Sequence, residues 1–452
     1  MFLNNKILVI GMARSGYAAA KYLAKRGNTV ILNDGGSIEK QDQIKIKELE
    51  DLGVKLIFGS HPDDLIDSSF DYIIKNPGIK DDHKLCKQAY SLNIPVINEV
   101  EMAYRLLPND VTLIGITGTN GKTTTTTLTY NILHDYYKER VHLAGNIGYP
   151  LVSILDDLKK DDIIVMEVSC QQSVNFNEFK PHIGLITNFS PAHIDFFDGS
   201  FENYKETKCK MIRNQNEEDI CILNIDDSDL SKRLSNIKSQ TKYFSSSKSI
   251  NGCYLENNSI MYYGEKVMNI SDVKIPGIHN LENIMGAIMI SKEFDVPNKS
   301  ISDTICNFRG VEHRLEYVDT VRGVRFYNDT EATNIKCSQI ALASFNNPTI
   351  IILGGLERGQ DFNELKPFMK NVKAIIGIGQ CRERVKDFGE SINIPTYIFE
   401  YQKDSFNKIN EIMESGDVVL LSPASASWDQ YKECEVRGAE FKELVGELKH
   451  ED

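Results

Sequence analysis

The stretch from Thr112 to Thr127, T-L-I-G-I-T-G-T-N-G-K-T-T-T-T-T, constrains this chain more than any other. Its apolar residues Leu113, Ile114 and Ile116 predict the end of a buried strand, and a Gly-rich turn and a helical pattern follow. Strand, Gly-rich turn, Lys-Thr and helix form the order of a phosphate-binding loop, in which backbone N–H groups face phosphate oxygens. The stretch therefore predicts a nucleotide-phosphate site at the turn.

Lys122 and Thr123 are the side chains that such a loop would use. Lys122 would bring a positive charge to the outer phosphates, and the Thr123 hydroxyl would be a ligand for Mg²⁺. The commonest form of the motif has a further glycine five residues before Gly121, where this chain has Ile116. The remaining pattern, G-x-x-G-K-T, is less specific, and a structural turn between strand and helix is the alternative interpretation.

Composition and charge narrow the class of protein. The length of 452 residues predicts two or three domains, and the net charge of -13 argues against non-specific nucleic-acid binding or an anionic membrane partner. No apolar run approaches the roughly 18 residues of a membrane span. The nine cysteines include no C-x-x-C pair, which favours reduced thiols over disulfides or a zinc site. We therefore expect a cytoplasmic protein.

The first hundred residues predict a Rossmann-like domain. Lys6 to Ile10 and Thr29 to Leu32 have strand patterns on either side of a helix, and Gly11 to Gly16 resembles a dinucleotide-binding turn. Ala13 replaces the second glycine of G-x-G-x-x-G, so a mononucleotide or UDP site is an equal interpretation. Asp34, after the second strand, could accept a hydrogen bond from a ribose or uracil, or could only form a turn.

Residues 101–310 predict a second α/β domain with a parallel sheet that helices cover on both faces. Its further strand patterns are Val141 to Ala144, Ile163 to Val168, Ile183 to Thr187 and Cys221 to Leu223. Ligands bind at the carboxyl ends of strands in such sheets. Polar residues gather at these ends, namely Asn146, Glu167, Asn188, His193 and Asp195. They are expected to face the loop that starts at Gly118.

Glu167 is the best candidate metal ligand among them, because an unpaired carboxylate at the end of an apolar strand would be costly. A helix cap is the alternative. His193 is a candidate for a second metal or a phosphate contact, with a structural histidine as the alternative. Asn280 or Asn283 could contact a nucleotide base or cap a helix, and residues 240–275 predict a small antiparallel insertion.

Residues 311–452 predict a third doubly wound domain with a second ligand-binding face. Its strand patterns are Val324 to Tyr327, Thr349 to Leu353, Ala374 to Ile378 and Val418 to Leu421. Glycine and polar residues again follow these strands, as in Gly354-Gly355 and Ser425-Ala426-Ser427. The predicted fold class is therefore α/β, with three doubly wound domains and mainly parallel sheets.

Motifs along nearly the whole chain resemble the Mur ligase family. In chain order they are N-P-G-I (76–79), T-G-T-N-G-K-T (117–123), G-N-I-G (145–148), E-V-S (167–169), H-I-D (193–195), H-N-L-E-N (279–283), H-R-L-E (313–316), N-D-T-E-A-T-N (328–334), L-S-P-A-S-A-S-W-D-Q-Y (421–431) and V-R-G (436–438). The resemblance implies a UDP-sugar-binding domain at 1–100, a P-loop-type ATP-binding domain at 101–310 and an amino-acid-positioning domain at 311–452.

The resemblance also implies an activity. A carboxylate of UDP-N-acetylmuramoyl-L-alanine would attack the γ-phosphate of ATP to give an acyl phosphate, and the amine of D-glutamate would then displace phosphate. ATP and Mg²⁺ at two sites are the implied cofactors, and the partners are these small molecules, with no nucleic acid or membrane. We expect a monomer.

The same resemblance assigns roles to individual residues. The implied catalytic and metal-binding residues are Lys122, Thr123, Glu167, His193 and Lys208, the last as a carbamate. The implied nucleotide-binding residues are Thr119, Asn120, Gly121, Lys122, Thr123, Thr124, Thr125, Asn283, Arg314 and Asp329. The implied residues for the UDP-sugar are Asp34, Asn76 and Asn146, and those for D-glutamate are Thr333, Arg358 and Ser427.

Three positions depart from the family pattern. Glu331 stands where a lysine is usual, and Cys434 stands where a phenylalanine is usual. Gln171 stands at the phenylalanine of the motif E-L-S-S-F-Q that is usual for residues 167–172. A paralogue that adds another amino acid is therefore one alternative. A UDP-sugar sensor without ligase activity and an NAD-linked oxidoreductase, which only Gly11 to Gly16 would support, are the others.

Overall fold

A computed structural model of the chain describes residues 2–191 and 194–450, and its strands form sheets of five, nine and six strands. These sheets follow one another along the chain, as the predicted α/β fold class requires. The chain divides into two compact units. One comprises the chain up to Met268 with Glu282–Ser302, and the other comprises Asn269–Leu281 and the chain from Asp303 onward. The first unit therefore holds two of the sheets, and the domain boundaries near residues 100 and 310 stay predictions.

The five-stranded sheet has the order β3-β2-β1-β4-β5, and all its strand pairs are parallel. Its strands are β1 (Lys6–Ile10), β2 (Thr29–Asp34), β3 (Lys55–Phe58), β4 (Tyr72–Lys75) and β5 (Val96–Asn98). Its helices are α1 (Arg14–Lys25), α2 (Gln43–Asp51), α3 (Lys84–Ser91) and α4 (Glu99–Tyr104). Ile7 and Val9 of β1 pack in one core cluster and Leu8 and Ile10 in another, because successive side chains point to opposite faces.

The nine-stranded sheet has the order β14-β13-β12-β11-β10-β9-β6-β8-β7. Its strands are β6 (Thr112–Thr117), β7 (Val141–Gly145), β8 (Ile163–Glu167), β9 (Ile183–Ile186), β10 (Ile220–Asn224), β11 (Gln240–Ser245), β12 (Cys253–Glu256), β13 (Ser259–Tyr262) and β14 (Glu265–Asn269). The helices in this part of the chain are α5 (Lys122–Tyr137), α6 (Cys170–Ser173), α7 (Phe201–Cys209), α8 (Ser228–Arg233), α9 (Ile278–Lys292) and α10 (Asn298–Asn307).

The prediction of a small antiparallel insertion at 240–275 is wrong in part. β11 pairs parallel with β10, and β12 pairs parallel with β11, so this segment extends the central sheet. β12 and β13 do form an antiparallel hairpin. Its turn residues Asn257 and Asn258 both have positive φ, of 46° and 57°, which suits the tight turns that match strand twist.

The six-stranded sheet has the order β15-β16-β20-β17-β18-β19, and β15 is antiparallel to β16. Its strands are β15 (Glu316–Val321), β16 (Val324–Asn328), β17 (Thr349–Gly354), β18 (Val372–Ile378), β19 (Thr396–Phe399) and β20 (Val418–Leu421), and its helices are α11 (Ile335–Ala343), α12 (Arg382–Ser391), α13 (Phe406–Ile412) and α14 (Cys434–His450). The edge strands β3, β15 and β19 were not predicted from the sequence, because their residues are mostly half-buried and lack a strong apolar pattern.

Short 3₁₀ helices connect several of these elements. They are Ile38–Lys40, Lys138–Arg140, Leu151–Ile154, Ile194–Phe197, Lys210–Ile212, Ile270–Asp272, Phe362–Asn371 and Gln402–Ser405. Within residues 2–191 and 194–450, no helix combines the length and the apolar character that crossing a membrane would need.

A buried carboxyl group makes the stability of the first unit depend on pH. Glu99, the first residue of α4, is 1% exposed, and its Oε1 accepts a hydrogen bond of 2.7 Å from the Val152 N–H. Burial raises the pKa of Glu99 from 4.5 to about 7, although the Val152 N–H and the Arg14 charge oppose the rise. The folded chain therefore holds this proton to higher pH than the unfolded chain. The stabilisation of the folded chain by protonated Glu99 is therefore fully present below about pH 4.5, and it is lost as pH rises through 7.

We expect Glu99→Gln to stabilise the chain at pH 8 by up to about 3 kcal/mol and to change little near pH 4.5. The glutamine retains an oxygen for the Val152 N–H and removes the group that must ionise in the interior. Urea unfolding of both proteins across this pH range measures the difference. Glu50→Gln, at an exposed position of α2, is the matched control. A Glu99→Gln effect that is the same at both pH values would contradict the prediction.

Candidate active site

The predicted phosphate-binding loop lies between β6 and α5. Gly118 and Gly121 have φ values of +146° and +79°, and a Cβ atom would overlap Thr187 Oγ1 at Gly118 and Asn283 Oδ1 at Gly121. Only glycine fits both positions. Because α5 begins at Lys122, the N–H groups of its first turn have no acceptor within the helix and are suited to bind phosphate.

Contacts from the next strand end and from the loop itself hold its shape. The Asn188 carbonyl and side-chain oxygens accept hydrogen bonds from the backbone N–H groups of Thr119 and Asn120, at 2.9 and 3.1 Å. Lys122 Nζ donates to the Thr119 carbonyl at 2.8 Å. Asn188 therefore holds the first part of the loop, and the Lys122 ammonium group bonds within the same loop.

Asn283 lies against the start of α5, and its nucleotide-binding role stays a prediction. Its Oδ1 accepts a hydrogen bond of 3.3 Å from Thr125 Oγ1, which is buried in the first turns of α5. Thr123 and Thr124 precede it on the same helix and are only partly buried. These three threonines and Asn283 thus surround the N-terminus of one helix.

Glu167 ends β8, next to the phosphate-binding loop, and is 1% exposed. Its Oε1 accepts a hydrogen bond of 2.7 Å from Asn146 Nδ2, since Asn146 directly follows the neighbouring strand β7. Its Oε2 is buried and has no hydrogen-bond partner within the described residues. An unpartnered buried carboxylate oxygen is costly, and a bound cation would compensate it.

Lys208 lies on α7 and reaches the same loop. It is 1% exposed, and its Nζ donates to the Gly118 carbonyl at 2.6 Å. Burial, and then the charge of Lys122, lower the pKa of Lys208 to about 7. The residues themselves gave no signal for this lysine, because a Y-K-E-T-K helix reads as solvated, and only the family resemblance singled it out. His193 and the side chain of Asp195 lie outside the described residues.

Asp34 and Asn76 line a cavity of about 310 Å³ at the carboxyl ends of β1, β2 and β4. The two Asp34 carboxylate oxygens accept hydrogen bonds of 2.7 Å from the N–H groups of Met12 and Gly36. Asp34 therefore forms a turn and also faces the cavity, so its two interpretations are compatible. The cavity sits where open α/β sheets bind their ligands.

Sequence reasoning missed two histidines of this cavity. His61 and His83 line it with their ring centroids 4.7 Å apart and their planes perpendicular. His61 Nδ1 lies 2.5 Å from Asn33 Oδ1. Since Asn33 Nδ2 donates to two backbone carbonyls, its oxygen must accept, and His61 carries its proton on Nδ1. The sequence signal that could have pointed to His61 is the short strand β3, which ends three residues before it and was itself not predicted.

The second compact unit holds Arg314 and Asp329. Asp329 follows β16 and accepts hydrogen bonds from the Leu315 N–H at 3.1 Å and from Ser422 Oγ at 2.8 Å. Burial raises the pKa of Asp329 to about 7. Arg314 is exposed, and its guanidinium lies 3.4 Å from a carboxylate oxygen of Glu331. These residues share one end of the six-stranded sheet.

Thr333, Ser427 and Arg358 follow β16, β20 and β17, which are neighbouring parallel strands of that sheet. Their loops therefore meet at one edge. The Arg358 guanidinium lies 4.6 Å from the ring centre of Trp428, the single tryptophan of the chain. Ser427 is 1% exposed, and its Oγ has no hydrogen-bond partner within the described residues.

Two of the departures from the family pattern are in contact. A carboxylate oxygen of Glu331, the Cys434 sulfur and a carboxylate oxygen of Glu435 lie within 4.8 Å of one another. Burial, the hydrogen bond to Glu435 and the Glu331 charge raise the pKa of the Cys434 thiol to about 11. The third departure, Gln171, lies in α6, where its Oε1 accepts a hydrogen bond of 3.0 Å from the Cys170 thiol.

Arg437 is a further residue to which the sequence analysis gave no role. It is 1% exposed, and its guanidinium donates to the carbonyls of Thr330, Gly354 and Ser425 at 3.0, 3.4 and 3.2 Å. Thr330 and Ser425 belong to the segments that follow β16 and β20, and Gly354 is the last residue of β17. Arg437 therefore positions the loops that carry Thr333, Arg358 and Ser427.

Comparisons with known proteins agree with this architecture. The family model described as Mur ligase MurD-like, N-terminal domain, matches residues 5–98, and the Mur ligase middle domain matches residues 116–291. Among solved structures, MurF ligase from Thermotoga maritima in complex with ADP has a TM-score of 0.56 and 18% identity, with 93% of this chain and 95% of that chain covered. At this identity the likeness concerns the fold.

Two curated relatives extend the similarity over the full length. UDP-N-acetylmuramoylalanine--D-glutamate ligase from Streptococcus mutans is 42% identical over 454 residues, covering 100% of this chain and 99% of the relative. The enzyme of the same name from Streptococcus agalactiae is 40% identical over 452 residues, with the same coverage. With these full-length relatives and a phosphate-binding loop beside a buried carboxylate and lysine, the chain belongs to the Mur ligase family.

Proposed function

We propose that this chain is an ATP-dependent ligase that joins D-glutamate to UDP-N-acetylmuramoyl-L-alanine in the synthesis of peptidoglycan precursors. The observation that carries the proposal is the identity of about 40% along the whole chain with ligases of that name. The phosphate-binding loop, the buried Glu167 and the buried Lys208 supply groups suited to the chemistry. A UDP-sugar sensor would not need these three groups together.

The reaction has two steps. A carboxylate oxygen of UDP-N-acetylmuramoyl-L-alanine attacks the γ-phosphorus of ATP, and ADP leaves. The D-glutamate nitrogen then attacks the carbonyl carbon of the acyl phosphate, inorganic phosphate leaves, and the nitrogen loses a proton. Both partners of the first step are anions, so the site must neutralise charge and align the reacting groups.

The phosphate-binding loop performs the first of these tasks. The segment from Gly121 to Thr124, at the N-terminus of α5, offers backbone N–H groups and hydroxyls to the phosphates, whereas the N–H groups of Thr119 and Asn120 already donate to Asn188. Lys122 offers a positive charge. Lys122 Nζ donates to the Thr119 carbonyl, so its charge lies at the loop itself. Asn146, which bonds Glu167, is placed to orient the substrate carboxylate.

Glu167, Thr123, His193 and a carbamate on Lys208 would hold Mg²⁺ at two sites. The unpartnered Glu167 Oε2 fits this role, because it is an oxygen ligand already buried beside the loop. The bound metal would neutralise phosphate charge during transfer. Carbamylation would change Lys208 from a buried cation to an anionic oxygen ligand, which removes the repulsion between its ammonium group and Lys122.

The remaining residues take the substrates. Asp34 and Asn76 bind the UDP part in the 310 Å³ cavity. Asn283 of the first unit contacts the nucleotide, and the family resemblance also gives Arg314 and Asp329 of the second unit a nucleotide-binding role. Thr333, Arg358 and Ser427 bind the carboxylates of D-glutamate through two hydroxyls and a guanidinium. That the enzyme is a cytoplasmic monomer stays a prediction.

We expect phosphate release from ATP to require both the UDP-sugar and D-glutamate. The assay contains ATP, Mg²⁺ and UDP-N-acetylmuramoyl-L-alanine with D-glutamate, L-glutamate, meso-diaminopimelate, L-lysine or no amino acid. Lys122→Ala should lower the rate roughly a thousandfold, because it removes the charge on the transferring phosphate. Lys160→Ala, at an exposed position of the same unit, is the control. Release with another amino acid only would contradict the proposed substrate, and an active Lys122→Ala variant would contradict the loop assignment.

We expect Lys208 to carry a carbamate. The burial that lowers its pKa to about 7 leaves the amine mostly neutral at pH 8, and the neutral amine is the form that adds CO₂. NMR of protein equilibrated with ¹³C-bicarbonate should show one carbamate signal that grows between pH 6 and pH 8 and is absent from Lys208→Ala. That variant should lose activity about 100-fold or more. Lys232→Ala, an exposed lysine on α8, should keep both the signal and the activity. An unchanged spectrum in Lys208→Ala would refute the modification.

We expect Arg358→Ala to raise the KM for D-glutamate about tenfold with a smaller change in kcat, because a carboxylate loses its cationic partner. Trp428 provides a direct readout, since the Arg358 guanidinium lies over its ring and the chain has no second tryptophan. D-glutamate should change the Trp428 fluorescence of the wild-type chain. Lys366→Ala, exposed in the same unit, is the control. An unaltered KM in Arg358→Ala would remove Arg358 from the D-glutamate site.

A further inference from the structure

A second and larger cavity, of about 560 Å³, lies in the first compact unit and has no part in the proposed reaction. Helices α1 and α2 form one wall, and the segment 148–156, which includes the 3₁₀ helix Leu151–Ile154, forms the other. None of the residues assigned individually above to substrate, nucleotide or metal lines it, and Arg14 is the one lining residue that belongs to the turn at 11–16, whose Gly11 and Ala13 line the 310 Å³ cavity. Its volume lies within the range of roughly 300–1,000 Å³ that is common for small-molecule sites.

The charge of this cavity is opposite to that of the chain. Four cationic side chains line it, against the single carboxylate of Asp156, whereas the net charge of the chain is -13. The cationic residues are Arg14, Lys21, Lys25 and Lys45. Asp156 already pairs with Arg26 at 2.8 Å, so it does little to neutralise them. A concave surface with this excess of positive charge attracts anions.

Two of these cations already pair with carboxylates, and a third does not. Lys21 pairs with Glu48 at 2.8 Å, and Lys45 lies 3.6 Å from Asp42. Lys25 forms no ion pair within 4.0 Å with any residue in the described parts of the chain. The positive charge of Lys25 is thus available to a ligand.

Arg14 is held in place in a similar way. Its NH2 group donates to the carbonyls of Gly145 and Asn146 at 3.1 and 2.7 Å. A guanidinium has five N–H donors, so these two bonds fix its position without using its full capacity. The carbonyl acceptors carry no formal charge, and the carboxyl group on which the Arg14 charge acts is the buried Glu99. Arg14 is therefore a preorganised cation at one end of the cavity.

The other lining side chains suit a flat or apolar group. Tyr17, Tyr22 and Tyr149 contribute aromatic rings, and Pro150 and Val152 contribute apolar surface. Tyr149 is 68% exposed, which is unusual for a large aromatic residue without a ligand or partner. Inorganic anions would use the cations only, whereas an aromatic phosphate would use both kinds of lining residue.

We infer that this cavity binds an organic phosphate that carries an aromatic group, about the size of a mononucleotide, at a site separate from the substrate sites. The phosphate lies between Lys25 and Lys45, and the aromatic group lies against the tyrosines, towards Arg14, which is roughly 16 Å from Lys25 along α1. The inference does not depend on the proposed ligase activity, because it concerns other residues and its test measures binding alone.

Pyridoxal 5′-phosphate is a suitable probe, since it is an aromatic phosphate whose aldehyde forms an imine with a nearby lysine amine. The wild-type chain is incubated with the probe, reduced with borohydride and analysed by peptide mapping. We expect label on Lys21, Lys25 or Lys45 at concentrations at least about tenfold below those that label exposed lysines such as Lys47 and Lys55. Phenyl phosphate should prevent this labelling, whereas phenol and inorganic phosphate at equal concentration should prevent it far less.

Two double variants that replace lysines with glutamates test whether the cavity cations bind the probe. Lys25→Glu with Lys45→Glu should lower the labelling of Lys21 about tenfold or more. Lys47→Glu with Lys55→Glu changes the net charge equally at exposed positions outside the cavity and should leave the Lys21 labelling unchanged. Even labelling of all exposed lysines, or an equal effect of both double variants, would overturn the inference. Protection by UDP would also overturn it, because the cavity would then belong to the substrate site.

Discussion

The parallel pairing of β6 with β8 and β9 is the constraint on which the proposed active site depends. Ile116 of β6 pairs with Glu167 of β8, and Thr117 of β6 pairs with Ile186 of β9. The three strands therefore end at the same level, and the segments that follow them meet. These segments carry the phosphate-binding loop, the metal-ligand candidate and Asn188, which are far apart in the sequence. A shift of one residue in this register would turn Glu167 to the other face of the sheet.

The site also contains two buried ionisable side chains, Glu167 and Lys208, whose polar atoms are not fully paired. Glu167 has one oxygen without a partner among the described residues, and Lys208 Nζ has a carbonyl acceptor, the Tyr204 ring at 4.8 Å and the neighbouring positive charge of Lys122. A protein interior disfavours both arrangements, because ionised groups lose hydration there. Such groups are tolerated where a ligand completes them, so Glu167 and Lys208 are suited to a site for metal and phosphate.

In the second unit, the loops that carry the proposed D-glutamate residues are held by a different interaction. A buried arginine, Arg437, donates to carbonyls in three loops and so fixes their relative positions. Glu331 and Cys434 are adjacent to each other beside this framework. The two departures from the family pattern therefore change one place in the protein. There Glu331 replaces the usual lysine, and Cys434 replaces the usual phenylalanine. The framework is linked to this change, since Arg437 Nε also donates to Thr330 Oγ1, which donates to the Cys434 carbonyl.

The sequence by itself determined the fold class, the internal strands and the phosphate-binding loop, because these depend on local patterns. Continuous apolar runs predict buried parallel strands, and glycines with positive φ at Gly118 and Gly121 are a local requirement of the loop. The half-buried edge strands β3, β15 and β19 lack such a pattern and were missed. The parallel pairing of β11 and β12 was also missed, since pairing depends on distant strands.

Only the tertiary structure decided the partners of the polar groups. It placed Lys208 against Gly118, His61 beside His83, and Arg437 among three loops, and each contact joins residues distant in the chain. It also brought the cations of α1 and α2 to face the tyrosine and proline of 148–156 across one cavity. Local sequence records which residue types are available, whereas burial, charge coupling and hydrogen-bond partners arise only when separate segments pack together.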